Sequence, residues 1–194
     1  MNQSRHKRIC LFNSSKIWGG GEKWHYETAR KLSERGFNPI VFSHPQGMLY
    51  QKSAEAGIRV IPVTIRNLSF LNPLKFLLIW FRLRREKTDT MIAGLPCDMK
   101  VVAAAARLAG VKKIMYRRGT ALPLKNNLIN RILYKHLTDA IIVNSLEIKN
   151  ILVERNARFI NEDKIHLIYN EVDLQHPLTK PQTRKLSVRS NGEV

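Results

Sequence analysis

Gly19, Gly20 and Gly21 stand in a row immediately before Glu22 and a helical pattern. A helix N-terminus presents unpaired N–H groups and a partial positive charge, so glycines in front of it let an anion, typically a phosphate, approach the backbone. The same run also suits a tight strand-to-helix turn that needs positive φ. Its spacing is neither Gly-x-Gly-x-x-Gly nor a Walker A loop. A second candidate is Arg117-Arg118-Gly119-Thr120, which closes an apolar run. Guanidinium groups take phosphate or carboxylate in bidentate fashion. On a continuing strand two adjacent arginines point to opposite faces, so one of them enters a cleft; a solvated strand end is the plainer alternative. Gly20, Gly21 and Arg118 are the residues expected to touch a phosphate or an acceptor. Asn144-Ser145 reads most simply as a helix cap, and Asn144 with Glu147 three residues later has capping-box spacing. Asn170 and Asp173 either close a turn or contact ligand. His25 and His44 read as structural or surface residues, and no His or Asp beside Arg118 offers a general base.

The stretch 72–87 carries Phe76, Leu77, Ile79, Trp80, Phe81 and Leu83 together with Arg82, Arg84 and Arg85. That is more apolar surface than one stripe facing a sheet requires. Interfacial helices mix Trp, Phe and Leu with Lys and Arg, and anionic lipid adds attraction. Phe76, Trp80, Arg82, Arg84 and Arg85 are therefore candidate membrane contacts. The unbroken apolar run, Phe76 to Phe81, is far too short to span a bilayer, which takes roughly 20 apolar residues.

These residues are carried by a regular alternation. Strand-like runs fall at 8–12, 38–43, 58–63, 89–94, 111–117, 139–144 and 164–170, and helical stretches at 21–36, 48–57, 72–87, 97–110, 124–137 and 145–156. Strands alternating with helices mean βαβ units, hence an α/β fold: a doubly wound, mostly parallel, Rossmann-like sheet of about seven strands flanked by helices. Pro62 marks the third strand as an edge or a strand end. In such sheets ligands bind beyond the carboxyl ends of the strands, where the glycine run, Arg117 to Thr120, Asn144 and the segment from Asn170 to Asp173 fall. Residues 1–177 read as the Rossmann-like domain and 178–194, polar and basic, as a linker or tail.

The chain has 194 residues, 44% of them hydrophobic, and a net charge of +18. Such a field favours anionic partners: nucleic acid, acidic lipid or phosphorylated small molecules. No recognised nucleic-acid motif is present and the basic residues are scattered over several elements, so no nucleic-acid partner is expected. Cys10 and Cys97 form neither a disulfide framework nor a metal-site pair, and no metal is expected. Without a signal-peptide pattern the expected location is the cytoplasm, peripheral at the inner face of the membrane.

The order of "GGGE", "ERGFNPIVFS", "AGIRVIPV", "RRGT", "DAIIVNS" and "KIHLIYNEVD" resembles the N-terminal domain of a GT-B glycosyltransferase of glycosyltransferase family 4, over roughly residues 7–176. The resemblance implies a two-domain retaining enzyme that moves a sugar from a nucleotide-sugar, its substrate rather than a bound cofactor, to a glycan or lipid acceptor. The acceptors are commonly membrane-bound, in lipopolysaccharide or other surface-glycan synthesis. It places Gly19, Gly20, Gly21 and Glu22 by the donor phosphates or the acceptor. Arg117, Arg118, Gly119 and Thr120 would line the interdomain cleft, and Asn144, Asn170 and Asp173 would complete the set. Two departures stand out. Glu171 replaces the glycine of the family's Asn-Gly-Val-Asp, and the C-terminal domain with its Glu-x7-Glu motif is not in these residues. Glu154 and Glu162 share that spacing but belong to the wrong domain. The chain therefore reads as the acceptor-binding half of an enzyme, with its other domain in cis or trans; the alternative is a non-enzymatic membrane-surface or anion-binding module.

Overall fold

A computed structural model describes residues 8–170. Seven strands lie in the order β3-β2-β1-β4-β5-β6-β7, every neighbouring pair parallel. They are β1 (Ile9–Asn13), β2 (Ile40–Ser43), β3 (Arg59–Pro62), β4 (Thr90–Ala93), β5 (Lys113–Arg118), β6 (Ala140–Val143) and β7 (Ile165–Leu167). The helices between them are α1 (Gly20–Glu34), α2 (Met48–Glu55), α3 (Pro73–Arg85), α4 (Pro96–Leu108), α5 (Leu128–Ile132) and α6 (Leu146–Asn156). The α/β, Rossmann-like expectation holds. β3 is an edge strand, as Pro62 implied.

Right-handed crossovers put α1 and α2 on one face and α3 to α6 on the other. Two apolar clusters result. Leu11, Val41 and Ile92 pack under Ala29 and Leu49 on the first face. Cys10, Phe12, Phe42 and Met91 pack under Ile79, Leu83 and the α4 residues on the second. Central strands covered on both faces must be apolar throughout, and Cys10, Leu11 and Phe12 are fully buried. Cys10 is thus a core residue. Beyond α1 and α2 the first face stays open over β5 to β7. Met115, Ala140, Ile142, His166 and Ile168 there line a concavity of about 260 Å³.

Helix ends follow the sequence closely. Gly36 adopts φ +80 just past α1, and Phe37 N–H bonds Leu32 O at 3.0 Å across it, a left-handed C-terminal closure that glycine makes cheaply. Two expectations shift. The helix expected over 124–137 is only α5 followed by a π-helical turn, Leu133–Leu137. Its first residues are held out of the helix because Asn156, buried, clamps both backbone groups of Leu124 (N–H to Oδ1 3.1 Å, Nδ2 to O 2.8 Å). Asn127 then starts the helix by accepting from Asn130 N–H. The cap of α6 is Ser145, which accepts from Ile148 N–H, and not Asn144.

Candidate functional site

The strand order reverses between β1 and β4, and in an open parallel sheet the crevice lies outside the carboxyl ends at that point. Asn13 ends β1 there. Its amide donates to Glu22 Oε1 at 3.1 Å and its oxygen accepts from Ser15 N–H at 3.0 Å. Ser14 is bound twice to Asp98, through its N–H (3.0 Å) and its hydroxyl. The loop leading to α1 is therefore bolted to the first turn of α4. Asp98 is fully buried, and burial pushes its carboxyl up to about 7 against the pull of both Ser14 donors.

The glycine run has a definite geometry. Gly19 caps α1 in an extended conformation (φ −149), and Glu22 Oε2 accepts the Gly19 N–H at 3.1 Å. Both oxygens of Glu22 are thus engaged within the protein. None of Gly19, Gly20 and Gly21 has positive φ, so conformational need does not explain them. A Cβ at Gly20 would meet nothing within 4 Å, whereas one at Gly21 would lie 3.5 Å from Arg117 Nη1. A Cβ at Gly119 would collide with the same guanidinium. Gly119 makes room for Arg117, a side chain at Gly21 would only touch it at ordinary van der Waals distance, and Gly20 borders open space.

The two arginines part as the strand geometry requires, because β5 runs through Arg118, which pairs with Val143. Arg117 lies on the α1 side. Its guanidinium sits 5.4 Å from the Trp24 ring centroid and reaches Asn170 Oδ1 at 3.5 Å. It is 6% exposed, and burial lowers its pKa while Glu22 pulls the other way. Among the described residues Arg117 has no ion pair. Arg118 lies on the opposite face, bound to the Leu122 carbonyl and the Tyr116 hydroxyl, and so fixes the loop toward α5.

Asn144 directly follows β6, the strand next to β5, and its Oδ1 is buried with no partner among the described residues. Gly119, Thr120 and Asn170 are exposed at the same rim. Asp173 lies outside the described residues. His25 is fully buried under Gly94; its Nδ1 donates to Gly21 O at 2.8 Å, which leaves Nε2 as a bare acceptor without a partner among the described residues. Burial lowers its pKa to about 4, so it is neutral. Among the described residues no group of His, Cys, Asp and Glu is placed to hold a metal. The site is a rim rather than an enclosed pocket. A concavity of about 380 Å³ around Arg158 and Lys164 lies at the far end of α6 and shares no residue with it.

The rim therefore gathers Gly19 to Glu22, Arg117, Gly119, Asn144 and Asn170, and leaves Arg118 behind it. Sequence reasoning missed Trp24, Asn13, Ser14 and Asp98. The Asp98 signal was legible: Pro96 at the first helical position with an acid two residues on is a helix start, here aimed at the loop after β1. Trp24 lies one turn after Gly21 on α1.

The sequence model of glycosyltransferase family 4 matches residues 18–176. The chain belongs to this family. Among curated proteins none matches its sequence significantly. Solved structures match its fold. HepE of Anabaena in complex with UDP-glucose superposes with a TM-score of 0.70 at 19% identity, over 88% of this chain and 45% of that one. A glycosyltransferase from Rickettsia africae ESF-5 gives 0.70 at 20%, over 87% and 44%. The lipopolysaccharide outer core galactosyltransferase WaaB, in its apo form, gives 0.66 at 18%, over 92% and 50%. The chain spans about half the length of these structures, and its fold is that of the N-terminal domain of a GT-B glycosyltransferase.

Proposed function

We propose that this family 4 chain is the acceptor-binding half of a retaining glycosyltransferase. It would act with a second domain, in cis or trans, to move a sugar from a nucleotide-sugar to a membrane-associated glycan or lipid in surface-glycan synthesis. The observation that carries the reading is the placement of Arg117 against Gly21 at the N-terminus of α1. A buried guanidinium without an ion pair among the described residues and a helix end whose capping residue, Gly19, has no side chain border the same open rim beside Gly20. Together they favour a phosphate or another anionic oxygen there. Positioned donors of this kind stabilise a leaving phosphate without moving a proton, which fits the neutral, buried His25. HepE in complex with UDP-glucose and WaaB, a lipopolysaccharide galactosyltransferase, share the fold. In this reading the nucleotide-sugar is a substrate, no resident cofactor is needed, and the protein works at the cytoplasmic face of a membrane. Residues 178–194, outside the described residues, would lead toward the second domain.

Gly20→Val tests it. Nothing lies within 4 Å of the added Cβ, so a side chain there starts in open space, and circular dichroism checks that the variant is folded. Binding of UDP-glucose or of inorganic pyrophosphate to the full chain, read by calorimetry, is expected to weaken by roughly tenfold or more as the side chain fills the ligand's approach. Unchanged binding of both ligands by a folded variant refutes the placement.

A second reading, a non-enzymatic membrane-surface module, is favoured by the outward leucines of α3. It predicts binding to lipid with no binding of either phosphate ligand.

A further inference from the structure

Helix α3 is apolar on two opposite sides. Phe76, Ile79, Trp80 and Leu83 repeat at i, i+3, i+4, i+7 and pack against α4 and the sheet, with Ile79 and Leu83 buried. Leu74, Leu77, Leu78 and Phe81 repeat the same spacing on the other side and are between 49% and 75% exposed. Leu71, in the turn before the helix, extends that outer stripe and is also exposed. Phe76 and Trp80, candidates from the sequence, are half-buried against the core, while the apolar residues most exposed to a partner are the leucines and Phe81.

The rim of the stripe is basic. Lys75 donates to Thr64 O at 3.0 Å and Arg82 to Pro62 O at 2.7 Å, which fixes both heads along one flank. Arg84 lies 5.8 Å from the Trp80 ring centroid on the other flank, and Arg85 follows at the helix end. No Asp or Glu occurs between Ala56 and Arg85. No helix among the described residues is long and apolar enough to cross a membrane.

We propose that the Leu71–Leu74–Leu78–Phe81 stripe of α3 docks the protein on an anionic lipid bilayer. The occupant follows from the charge pattern. Two copies pairing through this face would set the Lys75, Arg82, Arg84 and Arg85 rims against each other with no acid to offset them. A nucleic acid would meet the arginines but leave the leucines in water. A bilayer with anionic headgroups satisfies both, the side chains entering the acyl boundary and the guanidinium groups staying among the phosphates. Because α3 starts where β3 ends, its Leu71–Leu74 end lies at the carboxyl edge of the sheet that carries the candidate site. Docking there would hold that edge beside a lipid-borne acceptor. The inference deepens the glycosyltransferase reading by naming its membrane surface, and its test needs no sugar transfer.

The full chain is sedimented with vesicles of phosphatidylcholine, with or without phosphatidylglycerol, neither holding a sugar acceptor, and UDP-glucose binding is measured on the same preparations. The wild type should partition onto the mixed vesicles. Leu74→Ser with Leu78→Ser and Phe81→Ser should weaken this by about tenfold or more, and Arg84→Gln with Arg85→Gln should reduce the preference for phosphatidylglycerol. Leu108→Ser, at another exposed leucine, should change nothing. UDP-glucose binding retained by the triple variant would separate docking from ligand recognition. The proposal is overturned if the triple variant partitions like the wild type or if the wild type ignores the mixed vesicles at low salt. It is also overturned if the triple substitution abolishes a concentration-dependent dimer while vesicle partition is unchanged, since the face would then pair copies of the chain.

Discussion

Arg117→Met removes the charge but keeps most of the side-chain volume, and it separates a ligand-binding arginine from a structural one. On the stability side, the variant loses a cation–π contact with Trp24, about 0.5–2 kcal/mol. The hydrogen bond to Asn170, at 3.5 Å, is at the limit of useful geometry and adds little. Against these losses stands the relief of burying a guanidinium that is 6% exposed and has no ion pair among the described residues, a penalty of order several kcal/mol for a fully desolvated ion. The terms oppose, so unfolding free energy should change by less than about 2 kcal/mol in either direction. At roughly 2–4 °C per kcal/mol for a domain of this size, Tm should move by less than about 8 °C. On the binding side, hydrogen bonds to a charged group contribute about 1.5–3 kcal/mol, so affinity for UDP-glucose or pyrophosphate should fall roughly ten- to hundredfold. Thermal unfolding by circular dichroism and titration calorimetry read the two quantities separately. A Tm drop well beyond about 10 °C with undiminished affinity would show that Arg117 is part of the scaffold, and the reasoning would fail.

Two further outcomes follow from the same edge. Asp98 holds its proton to about 7 in the folded state against 3.8 unfolded, so the native state binds more protons between these values and the Asp98 contribution to stability falls as pH rises through that window. His25, lowered from 6.5 to about 4, acts oppositely, and its contribution is lost as pH falls through its own window. Asp98→Asn therefore leaves His25 unopposed. Urea unfolding should show the variant losing up to about 3 kcal/mol more than wild type on acidification from near pH 6.5 to near pH 4, and matching pH profiles would contradict the assignment. Gly94→Ala places a Cβ 2.5 Å from His25 Cε1 in packed surroundings, and should cost about 1–3 kcal/mol in urea unfolding. A cost near zero would show that the His25 ring has room to move.

The alternation of strand and helix was legible because each period is local: every strand and helix expected from the residues is present, with ends displaced by a few positions. The exception, 124–127, is instructive. Its residues favour helix, yet Asn156, which lies 32 positions away, takes both backbone groups of Leu124 and delays the start of α5. A long-range clamp of that kind leaves no periodic trace. The same limit explains α6, where Asn144 and Ser145 both suit a cap and the backbone path past β6 selects Ser145.

By itself the amino-acid order determined that the chain folds as an α/β sheet and that Gly19 to Gly21, Arg117, Asn144 and Asn170 fall at one edge, because side-chain periodicity and turn chemistry act over a few residues. Which arginine faces the glycines depended on how far β5 continues. What the glycines accommodate depended on a guanidinium arriving from another strand. Which side of α3 meets solvent depended on where α4 packs. These three were settled by tertiary structure, since each is a contact between segments that the chain keeps far apart.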